Sequence, residues 1–156
     1  MVHLTRTAIN VAALTTATAG PADGGIATFI GLVRDHHDGR EVLRLEYTAF
    51  EPMAEVEAER IVQEAEARWP VRIGLRHRLG TLEIGDIAVA VVAVSAHRGP
   101  AFDACRHVIE EVKRRVPIWK QESYADGTVG WVDPTAAGRG RENADRADPA
   151  AARGYG

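Results

Sequence analysis

The order of its apolar patterns predicts an α+β fold, with two main helices packed on a mainly antiparallel sheet and a hairpin added at the C-terminal side. Three observations carry this. Apolar residues recur at helical spacing in two stretches, Ala54 to Trp69 and Ala101 to Val116. Residues 26–33 and 87–94 are apolar in both alternating sets, as in strands covered on both faces, while residues 41–50 and 71–79 alternate apolar with polar, as in half-buried strands. The resulting order is strand, strand, helix, strand, strand, helix, hairpin, which places helices against a sheet.

In chain order, residues 2–9 suit a short strand and residues 10–16 a short helix capped by Asn10. Residues 20–25 form a Gly/Pro-rich loop, and residues 34–40 are polar throughout and end in an Asp38-Gly39 turn signal. In the strand at 41–50, Leu43, Leu45 and Tyr47 read as the inward set. Pro52 fits the first helical position, and Ala54, Ala58, Ile61, Val62, Ala65 and Trp69 then define one face. Pro70 stops that helix. In the next strand Val71, Ile73, Leu75, His77 and Leu79 face one way; residues 80–86 read as a turn around Gly85-Asp86. A helix over residues 100–115 ends before Pro117, and Ala125-Asp126-Gly127 joins two final strands. Residues 1–133 are therefore expected to form one domain. Residues 134–156, rich in Ala, Gly and charge without an apolar period, are expected to be a disordered tail.

The chain has 156 residues, 46% hydrophobic and 26% charged, with a formal net charge of −3. That modest acidity argues against a general nucleic-acid binder. A single cysteine excludes an intramolecular disulfide and a Cys-rich zinc site, and favours a cytoplasmic setting. Residues 8–19 are apolar but interrupted by Asn10 and several threonines, so neither a secretory leader nor a membrane span is expected.

Against this acidic background, His97 to Lys120 holds six Lys/Arg and three acids, a local +3 that reads as an anion site. His97-Arg98 stand between a central strand and a helix N-terminus, where free N–H groups and the macrodipole favour an anion. Those positions equally suit a strand end and a solvated arginine. Lys113, Arg114 and Arg115 lie in a last helical turn, where cations stabilise the helix without any further role. Lys120 follows Pro117-Ile118-Trp119; apolar cover from the indole and cationic neighbours would lower its pKa and make it a usable base or nucleophile. Arg34 closes the first long strand and can converge on the same site if the strands are neighbours. His36-His37 are adjacent and point apart in an extended loop, with no Cys or acid at helical ligand spacing around them, so a metal site is not expected; Cys105 lies on an apolar helix face. No Gly-rich phosphate loop and no G-x-S-x-G is present.

Together, T-F-I-G-L-V-R at 28–34, E-Y-T-A-F-E-P-M at 46–53, R-W-P at 68–70, S-A-H-R at 95–98, V-K-R-R-V-P-I-W-K-Q-E at 112–122 and Trp131-Val132 resemble the large, catalytic subunit of molybdopterin synthase. The likeness spans residues 24–133 with order and spacing kept. It implies an α/β hammerhead fold and a homodimer within a heterotetramer. Each large subunit would bind a small ubiquitin-like sulfur carrier, whose C-terminal Gly-Gly thiocarboxylate supplies sulfur to cyclic pyranopterin monophosphate to build the molybdopterin dithiolene. No further cofactor is implied. Lys113 and Lys120 stand at the family's functional lysines, Arg34, His97 and Arg98 at its substrate contacts, and Gln121 and Glu122 beside the second lysine. A non-catalytic homologue that only binds the carrier would keep the fold without needing the lysines. Two departures stand out. The family's arginine shortly after Trp-Val, offered across the dimer, is absent here unless Arg139 or Arg141 replaces it, and Leu32 stands where a lysine is common.

Overall fold

Two sheets share the chain, and the charged stretch runs from a helix packed on the first into a strand of the second. The structure, a computed structural model, describes residues 2–132. The expected tail at 134–156, with Arg139 and Arg141, lies outside the described residues. The elements in order are β1 (Leu4–Thr5), α1 (Val11–Thr18), β2 (Gly25–Leu32), β3 (His36–His37), β4 (Arg40–Ala49), α2 (Glu51–Arg68), β5 (Arg72–Arg78), β6 (Gly80–Glu83), β7 (Ile87–Ser95), α3 (Arg98–Arg115), β8 (Ile118–Tyr124) and β9 (Val129–Val132).

The first sheet has the order β1-β5-β7-β2, antiparallel except for the short parallel pair of β1 with β5. Its central strand β7 is buried from Ala88 to Ser95, as its doubly apolar sequence predicts. Val89, Val91 and Ala93 join the main core under α2 and α3, while Ala90, Val92 and Val94 face Leu14 of α1 on the other side. Asn10 caps α1 as expected, its Oδ1 accepting from the Ala13 amide at 2.9 Å. The α2 stripe Ala54, Ala58, Ile61, Val62 and Ala65 is buried, again as its spacing requires.

β2 departs from expectation. Its sequence reads as covered on both faces, yet it is an edge strand, and α1 packs on β5 and β7. Ile26, Ile30 and Leu32 are left 50%, 42% and 57% exposed. An apolar edge strand of this kind is normally covered by something.

The second sheet runs β3-β4-β8-β9, with β6 also paired to β4. Here the turn reading of residues 80–86 and the loop reading of 34–40 were each too coarse. Gly80–Glu83 pairs with Tyr47–Arg44, and His36–His37 folds back on Arg40–Glu41. The sharp reversal at Asp38-Gly39, with φ of 50° and 74°, supplies a primed turn that matches strand twist. Leu43 also falls outside its expected place: a bulge between Val42 and Arg44 turns Val42 inward and leaves Leu43 47% exposed, while Leu45 and Tyr47 stay buried.

Candidate active site

Pro117 ends α3, and the chain turns at once into β8, whose period of two sorts its residues onto two faces. Register with β4 pairs Tyr47 with Lys120 and Leu45 with Glu122, so Lys120, Glu122 and Tyr124 line the inner face. Trp119 and Gln121 take the outer one. The indole beside Lys120 in sequence therefore does not cover it, which corrects the expectation of apolar cover from Trp119.

Glu122 is the hub of the inner face. It is 1% exposed, and both of its oxygens are engaged. His37 Nδ1 lies 2.9 Å from Oε2, and Lys120 Nζ lies 3.2 Å from Oε1. The Tyr124 hydroxyl, on the same face of β8, interacts with it as well. Burial pushes the Glu122 carboxyl up, but the His37 hydrogen bond, the Lys120 charge and the Tyr124 contact outweigh it, holding the carboxyl below the usual range. Gly130, paired with Glu122 on β9, makes room for this arrangement: a Cβ there would sit 3.0 Å from the Tyr124 hydroxyl oxygen. Arg34 comes in from the end of β2 and lines, with Tyr47, Lys120 and Glu122, a small cavity of about 40 Å³.

The last turn of α3 supplies the second lysine. Lys113 is half-buried; burial lowers its pKa, and the like charge of Lys120 lowers it further. His77 from β5 lies under it, 4% exposed. Its Nδ1 is 2.9 Å from the Arg78 carbonyl, and its ring meets Tyr47 edge-on at 5.0 Å. Burial, with the Lys113 charge, drops His77 to about 4, and burial with the Glu122 charge pushes Tyr47 up to about 12. Both are therefore neutral at physiological pH. Lys113, which by position alone also suits helix stabilisation and by resemblance is a functional lysine, thus carries a lowered pKa. That explanation does hold for Arg115, which bridges Glu57, Glu64 and Glu111, and for Arg114, which pairs with Glu111.

His97 and Arg98 do not join this group within one chain. Both are exposed at the start of α3, and His97 makes no side-chain cap. Fifteen residues of helix separate Arg98 from Lys113, ~22 Å of rise. β2 repeats the separation: Gly25 lies against the Arg98 backbone, and Leu32 reaches the Arg34 pocket ~24 Å away along the strand.

The sequence model of the MoaE protein family matches residues 4–115. The chain belongs to the MoaE family. Its relatives include the molybdopterin synthase catalytic subunit of Halalkalibacterium halodurans, 44% identical over 113 residues, which are 72% of each chain. Molybdopterin synthase catalytic subunit 1 of Mycobacterium tuberculosis is 43% identical over 131 residues, covering 83% of this chain and 88% of the relative. Among solved structures, molybdopterin synthase from Staphylococcus aureus superposes with a TM-score of 0.80 at 34% identity, covering 83% of this chain and 95% of that one. The α+β architecture expected from the sequence is the architecture of that family.

In this MoaE protein, then, Arg34, Lys113, Lys120 and Glu122 gather at one end of the fold, His97 and Arg98 stand at the other, and Gln121 faces away. Sequence reasoning missed His37, Tyr47, His77 and Tyr124. The signal for His37 was present: an Asp-Gly turn right after His36-His37 makes those residues a strand, and one of two adjacent strand residues must face inward.

Proposed function

We propose that the chain is the sulfur-transferring catalytic subunit of a molybdopterin synthase. In this reading a small carrier subunit inserts its C-terminal thiocarboxylate beside Lys113 and Lys120, and cyclic pyranopterin monophosphate receives the sulfur. The observation that carries it is the convergence of Arg34, Lys113 and Lys120 on one rim, backed by a buried carboxylate that holds Lys120 in place. Both reactants are anionic, and a lysine tied to a buried carboxylate, with two further cations nearby, can orient the sulfur nucleophile and stabilise charge as it develops. Lys113, carrying a burial cost and a like-charged neighbour, is the better suited of the two lysines to give up or accept a proton. The sulfur arrives on the carrier, so the buried Cys105, its thiol pushed up by burial, has no part in the chemistry. A free thiol also suits a cytoplasmic setting.

The reading includes a homodimer. β2 offers an unpaired edge and the exposed stripe Ile26, Ile30 and Leu32. Two copies paired antiparallel along β2 about a two-fold axis would set the start of one strand beside the end of the other. His97 and Arg98 of a second copy would then reach the Arg34 and Lys120 rim that their own chain cannot supply.

Purified protein mixed with a thiocarboxylated small subunit and the cyclic pterin should yield the dithiolene product. Lys120→Ala should lower turnover at least ~100-fold, the scale of losing a preorganised charge, with melting temperature and oligomer mass unchanged. A wild-type protein that yields no product, under conditions where an established synthase does, defeats the reading. A Lys120→Ala protein that retains turnover means that Lys120 is not needed for the chemistry, and a wild-type protein that binds the carrier without product is the carrier-binding homologue.

A further inference from the structure

We propose that His37 is a positioning residue for Lys120, acting through Glu122. The proposal rests on the sulfur-transfer reading of the pocket and adds to it a residue that touches neither reactant. A carboxylate only accepts hydrogen bonds, so the His37 nitrogen at 2.9 Å, Nδ1, must carry the proton. It takes one oxygen of Glu122, leaving the other to Lys120. The terminal torsion of a glutamate is soft, and a carboxylate held by one partner can swing about it. With its oxygens tied to two different elements the plane is fixed, and so is the place where the Lys120 ammonium sits.

The clamp is built into the backbone. His37 belongs to a two-residue strand whose pairing with Arg40 is set by the Asp38-Gly39 reversal. A further backbone bond from the Val42 amide to the Asp35 carbonyl, 2.8 Å, closes the same hairpin. The neighbouring His36 instead bonds the Asp35 carboxylate at 2.8 Å and stays exposed. Only one histidine of the pair reaches the hub. The hairpin also begins two residues after Arg34, so the contact that holds Glu122 anchors the segment carrying that arginine.

The titratable and charged groups around Glu122 are His37 from β3, Tyr47 from β4, Lys120 and Tyr124 from β8, and Arg34 and His36 across the small cavity, while Asp38 lies 3.5 Å from Nε2 of His37. His37→Leu removes one donor from this set, and His37→Asn keeps an N–H donor of similar reach. Carbon-13 NMR of the Glu122 side-chain carboxyl reads the contact without any substrate. Its titration should move upward in His37→Leu and stay near the wild-type position in His37→Asn. In the dithiolene assay His37→Leu should lower turnover about tenfold, the scale of one hydrogen bond to a charged group, and His37→Asn should recover most of it. Combining His37→Leu with Glu122→Gln should be no worse than Glu122→Gln alone, because His37 has no other route to Lys120. A Glu122 titration unmoved by His37→Leu overturns the proposal, as does a His37→Asn protein as impaired as His37→Leu. Wild-type protein without turnover would defeat the sulfur-transfer reading instead, and the NMR titration would still decide whether His37 holds Glu122.

Discussion

The two ends of α3 are built from similar residues and meet opposite fates. At its C-terminal end Lys113 is half-buried, near enough to a neutral His77 and to Lys120 to couple electrostatically with both, and the Lys120 ammonium is tied to a buried carboxylate. At its N-terminal end His97 and Arg98 are exposed and uncapped. One end has its cations already oriented by the rest of the chain, which is what preorganised electrostatics requires. The other presents cations with nothing around them to fix their direction. Adjacent to it lies β2, whose apolar side is left open. The difference teaches that the cations at one end of the helix are gathered by the chain's own fold; in the function proposed above, those at the other end are placed by an interface.

The largest effect should come from breaking that interface. Ile30→Asp puts a charge in the middle of the exposed β2 stripe, where the monomer tolerates it and a paired edge does not. Gel filtration with light scattering should show monomer mass, an unchanged circular dichroism spectrum and turnover reduced at least ~100-fold, because no second copy then brings His97 and Arg98 to the Lys120 rim. A monomer of full activity would mean that His97 and Arg98 do not take part.

The dry C-terminal end can be tested through pH. His77 would titrate at its ordinary 6.5 in the unfolded chain but only at about 4 when folded. Between those values the unfolded state binds a proton that the folded state refuses, so stability is complete above pH ~6.5 and falls as pH drops toward 4. The shift corresponds to roughly 3 kcal/mol. Urea unfolding at pH 7 and pH 4.5 should show most of that loss in wild type and much less of it in His77→Gln.

How much of this was legible in the sequence depended on the kind of information each residue carries. Periodicity located both long helices and the doubly buried β7, because burial there is decided within the chain. It failed for β2, whose two apolar sets look like those of β7 although one set is open; sequence pattern records that a face is to be covered, not which molecule covers it. Lys120 and Trp119 are adjacent in sequence and on opposite faces in β8, so a proximity argument that ignored the strand's period put the indole in the wrong place. The bulge that exposes Leu43 and turns Val42 inward leaves no mark in an alternating pattern. Glu122 could be named from its place beside the lysine, but its partner His37 stands 85 positions away. Such a pair becomes visible only once β4 and β8 are in register.

The smallest effect separates the two faces of β8. Gln121 faces away from Lys120, so Gln121→Ala should change turnover less than ~3-fold, as expected of a surface substitution. A loss comparable to that of Lys120→Ala would mean that the outer face of β8 also contacts a reactant.

The claim that each site is assembled from two chains is tested most directly by complementation. Arg98→Ala and Lys120→Ala proteins should each be nearly inactive alone. Co-expressed in equal amounts, half of the two-fold dimers will be mixed, and each mixed dimer will carry one site with both defects and one with neither. The account predicts recovery of about a quarter of wild-type turnover. Activity that stays at the level of the separate variants would contradict it, and would return His97 and Arg98 to the surface of a single chain.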